Sequence, residues 1–380
     1  MKRILFLSLL LPILLACNAQ STSDTGVASP VTHNTDVDSL DYDIGMMLMV
    51  GFRGALISNG TSHDIVKAIR DSHIGSVILF DYDAPTGQRG RNIRNADQVR
   101  LLCRQLRRYN PQLIIGIDQE GGRVSRLAER YGFPHFASAS YCAASGDDTL
   151  RHYAHLTATT LSSLGINLNF APVADVNINP DCPVIGRLER SFSADAAEVA
   201  HCCRLWIEEQ TSEGVASCMK HFPGHGSADG DTHRGLVDVS DSWQREELEP
   251  YRVIPEGAMV MTAHVVNRQL DPSGLPASLS PVITSYLRDS LAFDGVIITD
   301  DLAMGAIVNE YSFEEAVRMA VLAGADLLCI SNNGSNTYDP DAAARAAAVI
   351  RGMVSDGDVT LERVRQSANR VRALAAKLQK

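Results

Sequence analysis

From residue 40 onward, short apolar runs alternate with longer amphipathic stretches. The apolar runs fall at 47–50, 76–80, 113–117, 167–173, 215–219, 259–263, 296–299 and 326–330. Each has strand length, and each is nearly uniformly apolar. A strand buried on one face alternates apolar with polar, whereas a parallel strand covered on both faces does not. Between most runs lie stretches of helical spacing, at 96–108, 150–164, 196–213 and 313–323. Eight buried strands with intervening helices predict an α/β fold, a (β/α)8 TIM-type barrel, with a doubly wound open sheet as the alternative. Two further Ala/Arg-rich helices, at 342–353 and 361–378, are expected on the barrel exterior. No linker-like stretch interrupts 40–380, which reads as a single catalytic domain with no C-terminal second domain.

A parallel barrel carries its chemistry where the strands end. The polar residues follow that rule. The third run ends in Asp118-Gln119-Glu120-Gly121-Gly122-Arg123, the fourth leads to Asp175, and the fifth to Lys220-His221. The sixth ends at His264 and the seventh in Asp300-Asp301. The densest stretch is Lys220-His221-Phe222-Pro223-Gly224-His225-Gly226, followed by Asp231-Thr232-His233. So many titratable groups on one rim point to a pocket of acids, bases and hydrogen-bond donors.

Each feature also has a plainer reading. Asp300 or Asp301 could cap the helix that follows. Successive residues point in different directions, so one can cap while the other faces the pocket and suits attack on an anomeric carbon. Asp231-Thr232-His233 could be an ordinary surface turn. An aspartate two residues from a histidine can also accept the ring N–H and fix its tautomer for proton transfer. His221, His225 and His233 with Asp231 could supply metal ligands. Lys220 beside them speaks against a cation, and no H-E-x-x-H signature occurs. No G-x-x-x-x-G-K-[ST] phosphate loop occurs either.

The N-terminus has a different character. Met1-Lys2-Arg3 is basic, and an apolar stretch of about a dozen residues follows, too short to span a bilayer. It closes on Leu14-Leu15-Ala16-Cys17, which reads as a lipoprotein cleavage site. Residues 1–16 are then a signal peptide, Cys17 is lipidated, and 17–39 form a flexible polar tether. This implies a bacterial cell-envelope location, periplasmic or surface-exposed, with the membrane as a partner through the anchor. The net charge of −11 becomes −13 when Lys2 and Arg3 are removed. With no basic block elsewhere, a nucleic-acid partner is not expected. Seven cysteines remain after Cys17, an odd number, and they read mainly as small buried apolar residues.

The motifs together resemble glycoside hydrolase family 3, in its single-domain β-N-acetylglucosaminidase branch. They include Ile117-Asp118-Gln119-Glu120-Gly121-Gly122-Arg123-Val124, Asn169-Phe170-Ala171-Pro172-Val173-Ala174-Asp175-Val176 and Arg190-Ser191-Phe192. Ile44-Gly45-Met46-Met47 with Val50-Gly51-Phe52, the K-H-F-P-G-H-G segment, Asp231-Thr232-His233 and Thr299-Asp300-Asp301-Leu302-Ala303-Met304 complete the set. The resemblance implies a retaining exo-enzyme that releases terminal β-GlcNAc from carbohydrate substrates without a cofactor. It implies Asp300 as nucleophile, His233 as acid/base with Asp231 as its partner, and Asp118, Arg126, Arg190, Lys220 and His221 as sugar-binding residues. The segment 185–190 looks slightly longer than usual. A broader β-glycosidase, a phosphorylase of the same family and a non-catalytic sugar-binding lipoprotein are the alternatives.

Overall fold

The computed structural model describes residues 35–334 and 338–378. The expected signal peptide, Cys17 and most of the expected tether lie outside the described residues. Helix α1 (Thr35–Met46) takes in the last five residues of the segment read as tether. Leu40 and Ile44 anchor it to the core, while the polar composition of 17–39 hid its first turn. Asp41 pairs with Arg351, and Asp43 with Arg372 and Arg365.

Eight parallel strands follow: β1 (Leu48–Gly51), β2 (Ser76–Leu79), β3 (Ile114–Ile117), β4 (Leu168–Asn169), β5 (Ala216–Phe222), β6 (Met259–Thr262), β7 (Ile297–Thr299) and β8 (Leu328–Ile330). They are hydrogen-bonded in the order β7-β6-β5-β4-β3-β2-β1-β8. A parallel bridge between Ile298 and Leu327 brings β7 to β8 and closes the barrel. This is the predicted architecture rather than the open sheet. Buried Asp326 strengthens the seam: it accepts from the Ile297 N–H at 3.0 Å and from Ser367 at 2.6 Å, and it pairs with Arg288.

The barrel is filled, as expected for strands covered on both sides. Met49, Ile78, Ile114, Leu168, Phe170, Cys218, Met261, Ile298 and Cys329 pack inside it. Gly116 makes room for one of them: a Cβ there would lie 2.9 Å from the Phe170 ring. Helices α2 (Asp64–Asp71), α3 (Ala96–Arg107), α4 (Asp147–Leu164), α5 (Ala196–Ser212), α6 (Phe313–Ala323), α7 (Ala342–Asp356) and α8 (Leu361–Lys377) cover the outside. Their ends match local sequence signals. Asn95 and Asp195 cap the starts of α3 and α5, Ser312 and Glu315 form a capping box on α6, and Gly165, Gly324 and Gly357 end α4, α6 and α7.

The largest departure is in β4, read from sequence as 167–173 but regular only over Leu168–Asn169. Pro172 has no N–H to give to a ladder. The chain nonetheless stays beside β5, because Cys218 N donates to Ala171 O and Ala174 N donates to Lys220 O. Asp175 is thereby delivered to the same rim as Lys220 and His221.

Candidate active site

The C-terminal ends of the strands surround a cavity of about 580 Å³. Asp118, Arg126, Arg190, Lys220, His221, His233 and Asp300 all line it, together with Glu120, His225 and Asp301. Asp231 completes the predicted set by holding the His233 ring. The apolar part of the wall comes from Ile78, Phe80, Phe170 and Met261.

One wall is a cluster of charge. Lys220, on β5 and buried, places Nζ 2.8 Å from Asp118 and 2.6 Å from Glu120. Arg190 grips Glu120 with two parallel bonds, Nε at 2.7 Å and Nη2 at 2.8 Å, and its Nη1 donates to Val184 O. Arg126 reaches Asp118 at 3.4 Å, and its own Nε has no partner among the described residues. Burial alone would raise both carboxyls. The Lys220 and Arg126 charges outweigh it at Asp118, and Arg190 and Lys220 outweigh it at Glu120, so both stay below the usual range. Burial likewise works against the Lys220 and Arg190 cations, and the same acids hold both above their ordinary values.

Glu120 stands in the D-Q-E-G-G run, and residue order alone does not mark it as the acid that meets Arg190. It lies two residues beyond Asp118 in a short hairpin (Gln119–Gly121 with Val124–Ser125). The Gln119 N–H donates to Asn169 Oδ1, and Asn169 Nδ2 donates back to Gln119 O, which fixes the hairpin against β4.

The histidines divide by their surroundings. Asp175, fully buried, accepts from the backbone N–H groups of His221 and His225 and from His221 Nδ1 at 2.7 Å. Its carboxyl is held down to about 2: burial is outweighed by the His221 ring and these bonds. With its proton on Nδ1, His221 turns Nε2 to Arg190 Nη2, 3.5 Å away. Burial pushes His225 down to about 4, and its Nε2 lies 3.3 Å from Thr232 Oγ1. His264 lies between Ser278 Oγ, 2.6 Å from Nδ1, and Asp301 O, 2.8 Å from Nε2. His233 differs, because its side chain is 64% exposed at the cavity mouth. Its Nδ1 meets Asp231 Oδ1 at 2.8 Å, and the same oxygen accepts the His233 backbone N–H. The imidazoles of His221 and His233 thus each face a carboxylate.

The paired aspartates after β7 are not equivalent. Asp301 accepts from Ala303 N, Ser331 N and Ser331 Oγ, so its side chain holds the loop. Among the described residues Asp300 accepts only the N–H of Asp301, at 2.8 Å, and its carboxylate faces the cavity. Burial would raise it, but His264, His221 and that N–H bring it below the usual carboxylate range. Asp301 is raised by burial.

A model of the glycosyl hydrolase family 3 N terminal domain matches residues 39–374. The chain belongs to glycosyl hydrolase family 3. A β-hexosaminidase of Neisseria meningitidis is 34% identical over 283 residues, covering 70% of this chain and 73% of its own length. Among solved structures, this family 3 chain is similar to a β-N-acetylglucosaminidase from Paenibacillus. The TM-score is 0.79 and the identity 34%, over 89% of this chain and 62% of that one. It is also similar to a β-N-acetylhexosaminidase from Beutenbergia cavernae, with a TM-score of 0.76 and 29% identity over 89% of this chain and 98% of that one.

Beneath the loop lies an acid unrelated to the charge cluster. Glu247 is fully buried against Gly224, where an added Cβ would stand 2.6 Å from its Oε2. That oxygen has no partner among the described residues, and burial pushes the carboxyl up to about 7. An unfolded glutamate loses its proton near 4.5, so between that pH and 7 only the unfolded state ionises. Stability therefore falls as pH rises through this window and is level above it. Glu247→Gln should gain stability over wild type between pH 5 and pH 8, by on the order of 2 kcal/mol. Urea unfolding at the two pH values measures this, and an equal difference at both would mean that Glu247 ionises normally.

Proposed function

We propose that this protein is a retaining exo-β-N-acetylglucosaminidase acting on terminal β-GlcNAc of peptidoglycan fragments or chito-oligosaccharides. One observation carries the reading: an Asp300 carboxylate with no salt-bridge partner among the described residues shares a cavity with a fixed array of donors and with an exposed His–Asp pair. The family relatives named β-hexosaminidase and β-N-acetylglucosaminidase support the same choice. The cavity volume lies within the range of small-ligand sites.

In this mechanism Asp300, ionised at neutral pH, attacks the anomeric carbon as the glycosidic bond breaks. His233 donates its proton to the departing oxygen, and a covalent glycosyl-enzyme forms. His233 then takes a proton from water, whose oxygen displaces Asp300 from the sugar. Asp231 holds the ring orientation throughout. Lys220, Arg190, Arg126, Asp118 and His221 bind the hydroxyls and acetamide, and Glu120 fixes Lys220 and Arg190 in place. No cofactor enters these steps. We assign the protein to the bacterial cell envelope, anchored by lipid on Cys17, on the strength of the Leu14-Leu15-Ala16-Cys17 sequence alone.

Asp300→Asn should reduce turnover by on the order of 10⁴-fold while leaving the fold intact. A 2-fluoro glycosyl donor should label Asp300 in the wild type, as peptide mapping would show; a label on Asp301 would reverse the assignment. Donors built for an acetamide are left unpaired by glucose, so kcat/KM for p-nitrophenyl β-GlcNAc should exceed that for the β-glucoside by about a thousandfold or more. Comparable values would move the enzyme to the broader β-glycosidase reading. Phosphate buffer should yield free GlcNAc and no sugar phosphate. For the anchor, full-length protein made in a bacterial host should partition into detergent, and Cys17→Ser should not. Unlipidated wild type in the cytoplasm would reject the envelope assignment.

A further inference from the structure

The His233 ring is exposed, and Asp231 orients it. The backbone that carries it is held at three successive carbonyls. Ala306 N donates to Thr232 O at 2.9 Å, Gly305 N to His233 O at 3.2 Å, and Asn309 Nδ2 to Arg234 O at 3.0 Å. All three donors lie just beyond Asp300 and Asp301 on the segment that leaves β7. That segment is fixed at its root by the Asp301–Ser331 bonds and by His264 on Asp301 O.

We infer that this segment is a clamp that sets His233 relative to Asp300, and that Gly305 and Asn309 are positioning residues for leaving-group protonation. The inference rests on the reading of His233 as the acid. Its physical content is that the proton donor is referenced to the nucleophile through a few residues of chain, not across the barrel. Gly305 is the tightest point. A Cβ there would lie 2.5 Å from His233 O and 2.8 Å from the Arg234 carbonyl carbon, both backbone atoms that cannot rotate away. Its φ is not in the left-handed region, so alanine is acceptable to the backbone itself. Gly305→Ala therefore acts by displacing the loop that carries His233. Asn309→Ala removes one anchor without adding bulk.

A misplaced acid harms only reactions that need one. Displacements near 1 Å can cost about a hundredfold in rate, and protonation matters most for a poor leaving group. The test compares kcat/KM for 2,4-dinitrophenyl β-GlcNAc, whose leaving group needs no proton, with that for chitobiose. This ratio isolates glycosylation, before water is used. Gly305→Ala should lower the chitobiose value by about tenfold or more and the aryl value by less than about threefold. Asn309→Ala should shift both in the same sense by smaller factors, and near-UV circular dichroism checks that each variant folds. If Gly305→Ala does not fold, Asn309→Ala carries the test. Equal losses on both substrates, or no loss on either, would overturn the clamp. His233→Ala run alongside separates the two ideas. If it discriminates and the clamp variants do not, only the clamp falls; if it does not discriminate, the acid assignment falls and the clamp with it.

Discussion

The interaction on which the site depends is the meeting of Lys220 with Asp118 and Glu120. An ammonium this deeply buried is tolerable only if acids meet it, and acids buried there need cations in turn. Arg190 and Arg126 supply the rest, so that five charged groups from β5 and the segments between β3 and β5 define one wall. Removing Glu120 would leave buried Arg190 without its carboxylate, and breaking such a buried pair typically destabilises by about 3–5 kcal/mol. The cluster therefore constrains the barrel as well as the cavity. It requires β3, β4 and β5 in the observed register, and it requires the Gln119–Ser125 hairpin to bring Glu120 back beneath Arg190.

The same economy of means governs the histidines. His221, His225, His233 and His264 are chemically identical, and their surroundings alone distinguish them. Burial pulls His225 and His264 below the usual imidazole range, and both brace neighbouring groups. His221 is orientated by Asp175 from below, and His233 by Asp231 at the open edge. Only the last has both a carboxylate behind its ring and solvent in front of it, the arrangement that a group taking up and releasing protons requires.

Much of this was legible from residue order. Strand length and uniform apolarity revealed the barrel, because parallel strands covered on both sides leave that mark. The strand-end rule then collected Asp118, Lys220, His221 and Asp300 without reference to any structure. What stayed hidden was of three kinds. Pro172 shortened the fourth strand in a run whose apolar content gave no warning. Glu120 was overshadowed by Asp118, since a pattern of residue types does not say which acid answers which base. The contacts of Gly305 with the His233 loop are between backbone atoms, and main-chain carbonyls have no letter in the sequence.

The seven cysteines from Cys103 to Cys329 are all buried and unpaired. Burial pushes the Cys103 thiol up to about 12 and the Cys142 thiol to about 11, far from the thiolate form that alkylating and oxidising reagents attack. Such thiols react only when the wall around them opens. The chain thus carries its own set of silent labels, distributed from α3 through the barrel interior to β8. The rate at which each is modified in the native protein would chart which parts of the barrel breathe, and a cysteine introduced on the surface would take a probe without competition from them.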